Sequence, residues 1–106
     1  MINSNYDKRV KRLAAYCTVQ YNLLAVYRPE VDTLLMLKEI SPTIIKAMMR
    51  RSEENLKSLE EISKRTDARI LVLQKQNPEL ANSEEVKKLK GTLSEIREEY
   101  KQLSYS

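Results

Sequence analysis

Four adjacent carboxylate pairs, Glu53-Glu54, Glu60-Glu61, Glu84-Glu85 and Glu98-Glu99, are the most obvious residues in this sequence that could do chemistry. Paired acids can hold a divalent cation or divide acid and base roles between them. A metal site inside a helical protein, however, needs carboxylates that project inward, completed by histidines three residues further on. The chain contains no histidine, and none of its acids falls on an apolar stripe. Lys57, Lys64, Lys88 and Lys101 stand three or four residues from these acids, at the spacing that pairs charges along one helix face. The pairs therefore read as solvated flanks, and no catalytic residue, metal ligand or cofactor is expected.

Other chemistries meet the same shortage. Without imidazole there is no serine or cysteine triad, and one cysteine cannot build a zinc site. Cys17 falls on an apolar stripe and reads as an inert small hydrophobe. No glycine-rich loop is available to cradle a phosphate, since the chain has a single glycine. An enzyme is not expected.

Two basic clusters could instead grip a polyanion. Lys8, Arg9, Lys11 and Arg12 form one, and Lys46, Arg50 and Arg51 the other; residues 1–51 hold nine of the 19 Lys and Arg but only four of the 15 acids. If the clusters abut, they could hold a nucleic-acid backbone with steep salt dependence and no base-specific readout. The plainer alternative is that they are the water-facing sides of amphipathic helices. Tyr6, Tyr16, Tyr21 and Tyr27, interleaved with these cations, could stack on bases or simply pack with their hydroxyls reaching water.

Residues 13–27 (LAAYCTVQYNLLAVY) form the third constellation, fifteen residues without a charge. The run is too short to span a bilayer and has no cleavage pattern, so neither insertion nor a signal sequence is expected. One stripe of it, Leu13, Cys17, Leu24 and Tyr27, faces a core. Tyr16, Val19, Leu23 and Val26 lie off that stripe, leaving the helix apolar nearly all round. With Met48 and Met49, which can adapt to a variable surface, Tyr16, Val19, Leu23, Val26 and Tyr27 are the candidate contacts for a partner helix or a second copy of the chain.

The elements that must position these residues are helical. One glycine and three prolines are too few for an architecture that turns every 8 to 12 residues. A first helix starts at Asn3, Ser4 or Asn5 and ends by Pro29, with Tyr6, Val10, Leu13, Cys17, Gln20, Leu24 and Tyr27 on its inner stripe. A short second helix follows Pro29 and stops near Ile40. Ser41-Pro42 then opens a long helix to Gln76, whose heptad seam runs Ile45, Met49, Ser52, Leu56, Leu59, Ser63, Thr66, Ile70, Leu73. A break at Thr66-Asp67 is conceivable, but the repeat keeps its phase there. Asn77-Pro78 ends that helix. The last starts at Asn82 or Ser83, with Asn82 and Glu85 spaced as a capping box, and carries Val86, Leu89, Leu93, Ile96, Tyr100 and Leu103.

These elements predict an all-α bundle of three long helices plus one short helix, with a C-terminal antiparallel coiled-coil-like hairpin, in one domain over 1–106. A hydrophobic fraction of 42% at a net charge of +4 suits a folded chain. One unpaired cysteine points to a reducing, intracellular compartment, cytoplasmic or nuclear. The functional expectation is a non-enzymatic adaptor, assembly or regulatory subunit that binds a protein partner or itself; nucleic-acid binding is the second reading.

Overall fold

The computed structural model describes residues 4–27, 41–48 and 53–105. Its described residues form helices and no strands: α1 (Ser4–Val26), α2 (Pro42–Met48), α3 (Glu53–Gln76), the single turn α4 (Pro78–Ala81) and α5 (Glu84–Tyr105). They make a small all-α bundle. The short helix expected over 29–40, together with Met49, Arg50, Arg51 and Ser52, lies outside the described residues.

Local chemistry accounts for the ends. Asp7 lies in the first turn of α1, where a carboxylate suits the helix dipole. Ser41 accepts the Ile44 N–H on its Oγ at 3.4 Å, and Pro42 follows where a missing N–H costs nothing. α3 runs unbroken through Thr66-Asp67, because the Thr66 hydroxyl bonds back to the Ile62 carbonyl at 2.6 Å instead of capping a new helix. At its end Asn77 donates both its N–H and its side-chain amide to the Leu73 carbonyl. The connection that follows holds the extra turn α4, begun by Pro78. The Asn82–Glu85 capping box does not form. Asn82 bonds back to the Pro78 carbonyl, and Ser83 caps α5 by accepting the Val86 N–H.

α1 is the centre of the bundle. Its stripe is buried at Val10, Leu13, Cys17, Gln20, Leu24 and Tyr27, with Tyr6 half-buried. Leu56, Leu59, Ser63, Thr66, Ile70 and Leu73 of α3 are buried as the heptad requires, and Ile62 joins them. Two apolar clusters result. Leu23, Leu24 and Tyr27 meet Ile62, Ile70, Leu73 and Val86 at one end, and Val10, Leu13, Ala14 and Cys17 meet Ile45, Leu56 and Leu59 at the other.

α3 and α5 run antiparallel as the C-terminal hairpin, but α1 lies against both. Contacts between residues 9 and 60, 16 and 67, and 12 and 99 set α1 parallel to α3 and antiparallel to α5. The backbones of α3 and α5 scarcely come within 8 Å of each other, whereas α1 packs closely on each. Small side chains on the α3 seam make this geometry available. Gln20, fully buried, donates its amide to the Ser63 carbonyl at 2.9 Å and to Asp67 at 2.8 Å. Ser63 and Thr66 thus leave room for α1, not for α5.

Candidate functional site: a groove between α3 and α5

Because α1 holds α3 and α5 apart, a groove runs lengthwise between them. Its two stretches share Tyr16, Asp67 and Arg97. One, of about 200 Å³, continues along Leu23, Ile70, Leu71, Gln74, Lys90, Leu93 and Ser94. The other, of about 240 Å³, continues along Leu13, Glu60, Ser63, Lys64, Tyr100 and Lys101. Each is smaller than the ≈300 Å³ at which ordinary small-molecule sites begin. Their dimensions suit inserted side chains better than a cofactor.

The floor is apolar and belongs to α1, through Leu13, Tyr16 and Leu23. The walls are the flanks of the two seams. Of the six apolar seam residues on α5 only Val86 and Ile96 are buried, and Leu89, Leu93, Tyr100 and Leu103 are half-buried. Leu71 on the opposite wall is 59% exposed. Of these, Leu93 and Tyr100 line the groove together with Leu71, whereas Leu89 and Leu103 line separate depressions.

Its two acids are already engaged. Asp67 accepts the Tyr16 hydroxyl on both oxygens, at 2.8 and 2.7 Å, as well as the Gln20 amide. Burial, and then the bond to Asp67, push the Tyr16 phenol well above its ordinary pKa. Glu60 accepts the Tyr100 hydroxyl and lies 3.7 Å from Arg9. Burial first, then Glu60, also raises the Tyr100 phenol. Both tyrosines stay neutral donors at physiological pH.

The groove's cations are differently placed. Lys64, Lys90, Arg97 and Lys101 are all exposed along its edges. Among the described residues none of them has a carboxylate within 4 Å. The expected pairing of Lys57, Lys64, Lys88 and Lys101 with glutamates of their own helices is accordingly corrected. Glu60 and Glu99 are taken by Arg9 and Arg12 of α1, which cross between helices to reach them.

The residues singled out for partner binding divide in the same way. Tyr16, Leu23 and Tyr27 are 5%, 0% and 3% exposed, so the chain uses them itself. A three-helix arrangement with α1 at its centre covers the off-stripe face by placing α3 on one side and α5 on the other. Val19 and Val26 are half-buried. Val26 lines a separate open depression with Leu80 and Leu89. Met48 ends α2, its side chain outside the described atoms, and Met49 lies beyond.

The N-terminal cations are partly consumed. Arg12 is 2.8 Å from Glu99, and Arg9 is held near Glu60, while Lys8 and Lys11 are exposed. Lys8, Lys11 and Arg12 border an open depression with Glu99, Gln102 and Leu103. The Lys46 side chain, Arg50 and Arg51 lie outside the described residues, and with them the expected meeting of the two basic clusters. Sequence reasoning missed the α3–α5 groove. The signal that could have found it was the lysine and arginine spacing on both helices: Lys57 and Lys64 on one, and Lys90, Arg97 and Lys101 on the other, repeat by seven or by four.

Among the described residues no three Cys, Asp or Glu side chains gather as a metal site, and no helix is long and apolar enough to cross a membrane. Compared with known protein families, characterised proteins and solved structures, the chain matches none.

Proposed function

We propose that the chain is a non-enzymatic helical interaction subunit that receives a helix of a protein partner in the groove between α3 and α5. The observation that carries this reading is the splayed hairpin: α3 and α5 stand apart, and the exposed Leu71 and half-buried Leu93 line the cleft between them. In a four-helix bundle a further helix would lie there and complete the burial. The incoming helix can be foreign or come from a second copy of the chain. Either seats apolar side chains at i, i+3, i+4 and i+7 against Leu71 and Leu93 on the two walls.

The alternative, nucleic-acid binding through Lys8, Arg9, Lys11, Arg12, Lys46, Arg50 and Arg51, draws less support, because Arg9 and Arg12 are spent on Glu60 and Glu99. A reducing intracellular compartment suits Cys17, which is fully buried and has no second cysteine to pair with.

A synthetic helical peptide with a leucine stripe and glutamine flanks tests the reading by fluorescence anisotropy. Leu71→Glu places a charge at an exposed wall position, and Ser94→Trp fills the groove from an exposed one. The peptide should bind the native chain, and each substitution should weaken it about tenfold or more with helicity unchanged. Failure to bind, or binding indifferent to both substitutions, contradicts the groove as the interaction site.

A further inference from the structure

We propose that the occupant of the α3–α5 groove is an acidic amphipathic helix, one with an apolar stripe bordered on both sides by glutamate or aspartate. This rests on the groove being a helix-docking site and adds the partner's chemistry. The argument is charge complementarity. Lys64 on one wall, and Lys90, Arg97 and Lys101 on the other, are exposed and lack a carboxylate partner among the described residues. Lys57 lies seven residues from Lys64, Lys75 four from Leu71, and Lys87 three from Lys90, so all three continue the same flanks outward, and all are exposed.

The acids in the lining, Asp67 and Glu60, offset two of the four cationic charges there and leave the groove net cationic. Asp67 is taken up by Tyr16 and Gln20, and Glu60 by Tyr100 and Arg9. A groove with Leu71 and Leu93 on its walls and cations along both edges matches a helix whose polar flanks are anionic on both sides of its stripe. It matches a nucleic acid less well. A phosphate backbone would bridge the edges but would lie over Leu71 and Leu93, which offer it neither charge nor hydrogen bonds. A basic or neutral helix would leave the lysines and Arg97 unanswered around its stripe, at a cost in rate and specificity.

Three synthetic peptides sharing one leucine stripe, with flanks of glutamate, glutamine or lysine, separate this proposal from the reading beneath it. The glutamate peptide should bind about tenfold tighter than the glutamine peptide, as several rim pairs together imply, and the lysine peptide weaker still. Added salt should narrow the difference. In the triple variant Lys90→Glu, Arg97→Glu, Lys101→Glu, all at exposed positions, the order should invert in favour of lysine, with the circular-dichroism spectrum unchanged. Equal affinity for the glutamate and glutamine peptides overturns the acidic partner and leaves the groove intact. No binding by any peptide overturns both. If a single-stranded oligodeoxynucleotide binds more tightly than the glutamate peptide and the triple variant abolishes it, the partner is a nucleic acid and the proposal falls.

Discussion

The Tyr16 hydroxyl lies against both oxygens of Asp67, and that contact turns a residue of the uncharged run into the link between α1 and α3. Hydrogen bonds to a charged group contribute about 1.5–3 kcal/mol. Tyr16→Phe should therefore cost roughly 1–2 kcal/mol in urea unfolding, tempered by the partial exposure of Asp67. Combined with Asp67→Asn it should cost clearly less than the two separate losses added together; strict additivity would mean the pair is not coupled. Cys17 makes a second prediction. Burial, then Asp67, pushes its thiol from an ordinary 9.0 up to about 12. The unfolded chain therefore loses that proton first. Stability is fully present below about pH 9 and falls as pH climbs towards 12, with the raised phenols of Tyr16, Tyr27 and Tyr100 adding to the fall above pH 10. In Cys17→Ala the urea midpoint should start lower, because a fully buried side chain is truncated, and should hold level about one pH unit further. An unchanged profile would show that the thiol is not held neutral by the fold.

At the scale of the elements, α5 offers the cleanest tests. Ser83→Ala removes the hydroxyl that accepts the Val86 N–H and should cost about 1 kcal/mol by urea denaturation. Gly91 has open space where a Cβ would go, so Gly91→Ala should stabilise the chain by about 0.5–1 kcal/mol; a loss of stability would indicate a neighbour at that face. Most of this level was legible in the sequence. Apolar spacing placed the stripe of α1 and the seam of α3 correctly, because burial follows the helical period wherever two helices meet along their whole length. Proline and capping residues marked the start of α2 at Ser41-Pro42 and the end of α3 at Asn77-Pro78. The choice between Asn82 and Ser83 as the cap of α5 was not legible: both are good capping types, and the extra turn α4, which draws Asn82 back to Pro78, decided it.

The arrangement of the whole molecule was legible only in outline. An all-α bundle follows from composition and period, but a seam of six apolar residues on α5 gives no sign of which helix will cover it, or how far. Tyr16 and Leu23 looked like spare surface because they sit off the stripe of α1. The structure buries them because α1 has a helix on each side. The groove is the counterpart of that burial, since placing α1 between α3 and α5 opens the far side of the hairpin. Of the cations along its edges only Lys64 and Lys101 draw a reading from the sequence, as solvated flanks, because spacing within one helix cannot show that two flanks face the same cleft. The measurement that bears most directly on this account is an amide chemical-shift map of the labelled chain as the leucine-stripe peptide is added. The account predicts shifts concentrated at Leu71, Gln74, Ser94, Arg97 and Lys101, on both walls of the groove. Shifts confined to Lys8, Lys11 and Leu103, or to Val26 and Leu80, with the groove silent, would contradict it.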